Sequence, residues 1–172
     1  MSTSSAQAIP AHVPPECVVD FDYLHPPGAE QEVHLTWRNA LQFGPEFGLQ
    51  ETDDGVRLFD GPDQVEVFNE STAPLVREVA RGQDEPLLGY VWEDFRDREP
   101  RWVETTTAHG ADVDNVTTLS FDPEKTFRAS AAAPLGDTNT FTLSEDGEAA
   151  KTLVVTRAGD QLTIEEAKLP TP

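Results

Sequence analysis

Four side chains in this sequence suit proton transfer by type and surroundings: Glu104, Asp22, His34 and His109. Glu104 stands two residues after Trp102, beyond the run Tyr90-Val91-Trp92-Glu93. A carboxylate desolvated among aromatics has a raised pKa and exchanges protons near neutrality. Asp22 belongs to a cluster with Asp20, Tyr23 and His25, with His34 nearby. Carboxylates beside imidazoles can form an acid–base pair or bind a metal. The H-x-H and H-E-x-x-H spacings are missing, so no metal site is expected, and the plainer reading of Asp20 and Asp22 is one solvated strand face. His109, beside Gly110, suits a general base at a barrel mouth; the plainer reading is an ordinary loop histidine.

A second constellation is aromatic. Tyr90 and Trp92 share one strand face by alternation, and Trp102 shares one with Glu104. Joined by Phe121, Phe127 and Phe141, they would line a pocket for a small apolar or aromatic molecule; the plainer reading is an aromatic core. Two classes of function follow. One is a binding module for such a molecule. The other is a cofactor-free isomerase, cyclase or hydratase in which Glu104 or Asp22 moves a proton with help from His34 or His109. No cofactor is expected, because the sequence has no phosphate-binding glycine loop, no G-x-S-x-G and no D-x-D-x-D-G calcium loop. Asp53-Asp54 and Glu165-Glu166 read as solvated acid pairs. Cys17 is the single cysteine, which excludes an internal disulfide and a cysteine zinc site and suits a buried small hydrophobe. Asn69-Glu70-Ser71 and Asn115-Val116-Thr117 match glycosylation sequons, which mean little without a secretion signal.

The elements that must position these residues are mostly strands. Val19, Phe21 and Tyr23 alternate with Asp20, Asp22 and Leu24. Val56–Phe59 and Gln64–Phe68 flank Asp60-Gly61-Pro62-Asp63, a hairpin signal. Further strand-like runs begin at Leu87, Trp102, Val116, Thr126, Asn139, Thr152 and Gln161, with turns at Asp122-Pro123, Asp146-Gly147 and Gly159-Asp160. Two short helices are expected. One covers 30–42, from the spacing of Val33, Trp37 and Ala40/Leu41 and the helix-favouring run Arg38–Gln42, while Val33, Leu35 and Trp37 also fit strand alternation with His34, Thr36 and Arg38 opposite. The other is capped by Ser71 or Thr72, carries Leu75, Val76 and Val79, and stops at Gly82. Strands every ~8–12 residues with short turns indicate an antiparallel β-barrel. The alternative is an α+β curved sheet wrapped on the 30–42 helix. Residues 1–16, small, polar and proline-bearing, read as a disordered leader to a single β-rich domain over 17–172.

The segments Thr118-Leu-Ser-Phe-Asp-Pro-Glu-Lys-Thr-Phe127, Phe141-Thr-Leu-Ser-Glu-Asp-Gly147 and Leu153-Val-Val-Thr156 resemble the strand–turn–strand run of small lipocalin-like (calycin) barrels. The resemblance covers about a third of the chain, and the Gly-x-Trp signature of lipocalins is missing. It implies a closed antiparallel barrel with an interior ligand. Residues 18–47 are similar to the lead-in of some bacterial cytochromes P450, but the chain is too short for that enzyme and has no downstream cysteine to ligate haem, so P450 activity is rejected.

Charge bounds the partners. The 172 residues carry 32 acids against 12 Lys and Arg, a formal net of -20. Such a surface repels phosphate backbones and anionic lipid, so neither nucleic acid nor membrane is an expected partner. It suits a solvent of high salt, where repulsion is screened, or a plainly acidic protein. No apolar run approaches the ~20 residues of a membrane span, and Met1–Ala8 lacks the features of a signal peptide, so the expected location is cytoplasmic. The sequence leaves oligomerisation open.

Overall fold

A computed structural model describes residues 2–7, 17–25, 35–94, 97–110, 113–131, 138–158 and 161–167. They form antiparallel strands, with no helix among them. In chain order the strands are β1 (Ser2–Gln7), β2 (Cys17–His25), β3 (Leu35–Gln42), β4 (Gly48–Glu51), β5 (Gly55–Asp60), β6 (Asp63–Ser71), β7 (Leu75–Arg81), β8 (Tyr90–Asp94), β9 (Asp97–Pro100), β10 (Trp102–Gly110), β11 (Val113–Ser120), β12 (Phe127–Ala131), β13 (Thr138–Glu145), β14 (Glu148–Ala158) and β15 (Gln161–Ala167).

These strands pair into a six-stranded sheet (β1-β2-β11-β6-β5-β4), a three-stranded sheet (β3-β10-β7), a four-stranded sheet (β12-β13-β14-β15) and the β8–β9 ribbon. The mainly β, antiparallel expectation holds, but the described strands do not close into one barrel. The reason lies in β11. A barrel wall has one face to the interior and one to solvent, whereas β11 is covered along nearly its whole length on both faces. On one face Val116 packs with Phe127, Ala129, Phe141, Leu143, Leu153, Val155 and Ile164 of the four-stranded sheet. Thr118 Oγ1 accepts from the Ala129 amide at 2.9 Å on that side. On the other face Val113 packs against Ala108 of β10, and Leu119 against the cluster of Val56, Leu58 and Val67, where Leu41 of β3 and Val79 of β7 also sit. The six-stranded sheet is thus the middle of three layers, with an apolar core on each side.

Local sequence explains most of the pairing. In β5, Val56 and Leu58 are buried and alternate with Arg57 and Phe59. The β5–β6 register closes at Asp60↔Asp63 around Gly61, whose φ is 60°. The β13–β14 hairpin turns at Asp146 and Gly147, both left-handed at φ 51° and 84°, as a tight hairpin matched to strand twist requires.

Both expected helices are corrected. The 30–42 helix is replaced over Leu35–Gln42 by β3, which pairs with β10 in the register Trp37↔Ala108 and Leu41↔Glu104. Residues 26–34 lie outside the described residues. The helix after Thr72 is β7, whose Leu75, Arg77 and Val79 are partly buried while Val76 and Glu78 point outward. Val76 is 55% exposed, so the apparent helical stripe joins residues from opposite faces. Pairing with β10 overrides a weak local preference in both segments. Within the expected leader, Ser2–Gln7 forms β1, antiparallel to β2 from Ser2↔His25 to Gln7↔Asp20; residues 8–16 lie outside the described residues.

Gly55 is required by close approach. A Cβ there would stand 2.0 Å from the Val67 carbonyl oxygen, a backbone atom held by the β5–β6 ladder. Gly55→Ala is expected to force the two strands apart and cost about 1–3 kcal/mol. Urea denaturation checks this, and an unchanged midpoint would contradict it.

Candidate functional site

Glu104 sits in β10, the middle strand of its sheet, opposite Leu41 of β3 and Val79 of β7, and is 1% exposed. Because side chains alternate across a strand, Glu104, Thr106 and Ala108 share the face of β10 turned toward the six-stranded sheet. That sheet answers with a polar group. Asn69 of β6 donates from Nδ2 to Glu104 Oε2 at 3.0 Å. Thr117 of β11, opposite Asn69 in the register, donates from Oγ1 to Asn69 Oδ1 at 2.8 Å. The chain of bonds fixes the amide: its oxygen serves the hydroxyl, so its NH2 must serve the carboxylate. The space between these two layers is therefore apolar around Val56, Leu58 and Val67, polar at Glu104, Asn69 and Thr117, and apolar again at Ala108 and Val113.

The other carboxylate oxygen, Oε1, has no hydrogen-bond partner among the described residues. Its nearest cation is Arg77 of β7, with Nε at 4.0 Å. Arg77 is engaged elsewhere, since Nη2 donates to the Thr52 carbonyl at 2.6 Å. Burial pushes the Glu104 carboxyl up to about 7, against lowering by the Asn69 bond and by Arg77, while Glu51 pushes it further up. Desolvation of the charged form thus outweighs the two groups that favour it.

A cavity of about 310 Å³ is lined by both of these neighbours, Asn69 and Arg77, with Thr106, Leu75, Arg128 and the acids Glu51, Asp53 and Asp54, and Glu104 itself is not part of its lining. Its rim is the β4–β5 turn, which guanidinium groups from both outer layers hold. Arg77 grips it through Thr52. Arg128 of β12 pairs with Asp54 and also with Glu70 of β6, at 2.6 Å to the latter. All three layers therefore meet at one end of the cavity.

A smaller cavity of about 290 Å³ lies on the opposite face of β10, among Ala40, Gln42, Leu88, Tyr90 and Val103. Tyr90 is fixed there by its hydroxyl, which donates to the Gly82 carbonyl at 2.7 Å, and by the Arg98 guanidinium 4.4 Å over its ring.

The aromatic pocket expected from sequence is not assembled. Trp102 is half-buried at the start of β10 under Arg81, and Tyr90 lines the smaller cavity. Phe127 and Phe141 are buried in the other core, between the six- and four-stranded sheets. Phe121 is 42% exposed. Trp92 lies in β8 opposite Arg98, with its side chain outside the described residues. The cause is layering: residues adjacent in the meander fall on opposite sides of the middle sheet.

Of the proton-transfer candidates whose side chains are described, Glu104 is the one buried against polar partners, Asn69 and Arg77, and those partners line a cavity. His109 is exposed, so it does not converge on Glu104. Asp22 pairs with Asn115 in the β2–β11 register, its side chain lying outside the described residues, as does all of His34. Asn115 is 2% exposed and neither of its amide atoms has a hydrogen-bond partner among the described residues. That burial leaves this sequon asparagine inaccessible to glycosylation in the folded chain. From sequence, Asn69 and Thr117 were named only as sequon residues, and Arg77 was not singled out. Asn69 could have been found, because it continues the inward series Val65, Val67 of β6 and so had to be buried beside a polar partner.

Among the described residues no group of three or more His, Cys, Asp or Glu could hold a metal ion, and no helix is long and apolar enough to cross a membrane. No protein-family model and no curated protein matches the chain.

Proposed function

We propose that this chain binds a small polar molecule in the cavity lined by Asn69, Arg77 and Thr106. One observation carries the reading: Asn69 and Arg77, which line this cavity, are the neighbours of a fully buried carboxylate whose Oε1 has no hydrogen-bond partner among the described residues. A buried acceptor left without a donor costs about 1–3 kcal/mol, and a ligand donor reaching it would recover that. The apolar or aromatic ligand suggested by the tryptophans and phenylalanines finds less support, since those rings are dispersed through two layers and the surface.

The experiment is a thermal-shift panel of short alcohols, amides, amines and carboxylates on the wild type and on Asn69→Leu. A ligand at a hundredfold excess over its Kd stabilises by about 2.7 kcal/mol, which for a chain of this length raises Tm by roughly 5–10 °C. Such a shift in the wild type, lost in Asn69→Leu, supports the site. A panel with no shift in the wild type overturns it.

The raised pKa of Glu104 favours a second reading, acid–base catalysis. A carboxyl titrating at about 7 is populated in both forms near neutrality, which general acid–base catalysis needs. Incubation of a bound carbon acid in D2O separates the two. Deuterium incorporation abolished by Glu104→Gln identifies a proton-transfer enzyme, and binding without exchange leaves a binding protein.

A further inference from the structure

Arg77 stands between two acceptors and satisfies one of them. Its Nη2 donates to the Thr52 carbonyl at 2.6 Å, while its Nε lies 4.0 Å from Glu104 Oε1, beyond hydrogen-bond range. Glu104 Oε1 has no hydrogen-bond partner among the described residues, and its side chain is 0% exposed. The two acceptors differ in what they can do without the guanidinium. Thr52 is half-buried beside exposed Asp53 and Asp54 in the β4–β5 turn, so solvent can replace a donor lost from its carbonyl. Glu104 is shut away from solvent. A protonated carboxyl makes little demand on Arg77. Once it is ionised, a charge-assisted bond to it is about twice as strong as one to a neutral carbonyl.

We infer that Arg77 is a two-position switch: with Glu104 protonated it ties down the β4–β5 turn through Thr52, and with Glu104 ionised it turns to Oε1 and releases the turn. A movement of about 1 Å brings Nε into bonding range. Burial pushes the Glu104 carboxyl up to about 7, which puts the changeover near neutrality. The surroundings leave the choice to Arg77. Asn69 of β6 already serves Oε2, and it and its partner Thr117 of β11 are neutral. β3 and β5 present Leu41, Val56 and Leu58. Glu51 of β4 is negative and pushes the carboxyl further up. Asp20 and Asp22 of β2 stand opposite Thr117 and Asn115 in the register, with side chains outside the described residues. His109, on β10 itself, has the opposite parity to Glu104 and points away from it. Asp54 stays held by Arg128 of β12, so the release is confined to Thr52 and Asp53. Because Arg77 and Asp53 both line the cavity of about 310 Å³, the same event reshapes its wall. The switch belongs to the unliganded chain and stands apart from the binding reading above.

The test is NMR of the chain labelled with 15N and 13C, titrated from about pH 5.5 to 8.5 to span the changeover. The Arg77 Nε–H resonance is expected to shift in step with the Glu104 carboxyl carbon. Over the same window the Thr52 amide, which donates to the Gly55 carbonyl at 3.0 Å, and the Asp53 amide should lose about three- to tenfold in exchange protection, the equivalent of one hydrogen bond. In Glu104→Gln the tie to Thr52 has no rival, so protection should stay high and flat. In Arg77→Gln the tie is gone, so protection should be low and flat. Circular dichroism checks that both variants fold, and the wild-type titration decides alone if either does not. Turn protection that is constant in the wild type, or that changes equally in Glu104→Gln, overturns the switch. So does a Glu104 carboxyl that titrates while the Arg77 Nε–H stays unmoved, and either result leaves the thermal-shift test of the cavity standing.

Discussion

Glu104→Gln is expected to remove a pH dependence of stability worth about 3 kcal/mol. The folded chain keeps a proton on Glu104 up to about pH 7, whereas the unfolded chain releases it near 4.5. Between those values the unfolded state binds fewer protons, so unfolding becomes easier as pH rises. Glu104 therefore costs nothing below pH 4.5, costs progressively more through the window, and imposes a constant penalty above pH 7. At ~1.36 kcal/mol per pKa unit the full span is about 3 kcal/mol. Solvent screening does not reduce it much, because the side chain is 0% exposed. Glutamine keeps an oxygen for the Asn69 donor and has no charge to bury. Urea denaturation of both proteins across this window gives two curves, and their difference cancels the contribution of the many surface acids. The variant should gain on the wild type steadily from pH 4.5 to 7 and then hold level. Parallel curves would mean that Glu104 titrates as an ordinary exposed acid.

That Glu104 would be a desolvated carboxylate was legible from alternation with Trp102, but what desolvates it was not. The aromatics expected to enclose it lie elsewhere, and its neighbours in the sheet are Leu41 and Val79. Its polar partner Asn69 is 35 residues away and Asn69's own partner, Thr117, a further 48. Pairings of that range depend on strand order, which local pattern does not encode. The Asp60–Asp63 hairpin and the meander from Phe127 were readable because each turn carries its own signal in glycine and aspartate. β3 and β7 were not readable for a related reason. Each flanks β10, and each owes its conformation to that strand rather than to its own residues. Arg77 shows this most clearly: as a helix residue it would be a solvated charge, and as an inward strand residue it faces the one buried carboxylate of the polar seam. The expectation of a closed barrel failed at β11. Its run Asp114-Asn115-Val116-Thr117-Thr118 looks half-polar and solvent-facing, yet both faces are buried. Thr118 there bonds across layers to Ala129 of β12, and Thr117 bonds within the sheet to Asn69, which reaches across to Glu104.

Leu153→Ala is expected to cost about 3–5 kcal/mol, the largest effect of any single truncation considered. Leu153 is 0% exposed and packs with Phe127, Phe141 and Leu143 in the core between the six- and four-stranded sheets. Leucine-to-alanine changes at such sites lose the transfer energy of the removed carbons and leave a cavity that the layers close only in part. Phe141 stands directly opposite Leu153 in the β13–β14 ladder, so the new space would open against its ring. The variant also decides what the phenylalanines do. If Phe127 and Phe141 are core, the wild type binds no apolar molecule there, and the truncated core becomes able to take one of benzene size, as dry engineered cavities do. Calorimetric denaturation gives the stability loss, and titration with benzene in wild type and variant gives the rest. A wild type that already binds benzene among these rings, with Leu153→Ala weakening it, would restore the aromatic pocket that alternation first suggested. Benzene binding confined to the variant, with the affinity of the polar cavity unchanged, would keep the two sides of the middle sheet separate in role: packing on one face, recognition at the buried carboxylate on the other.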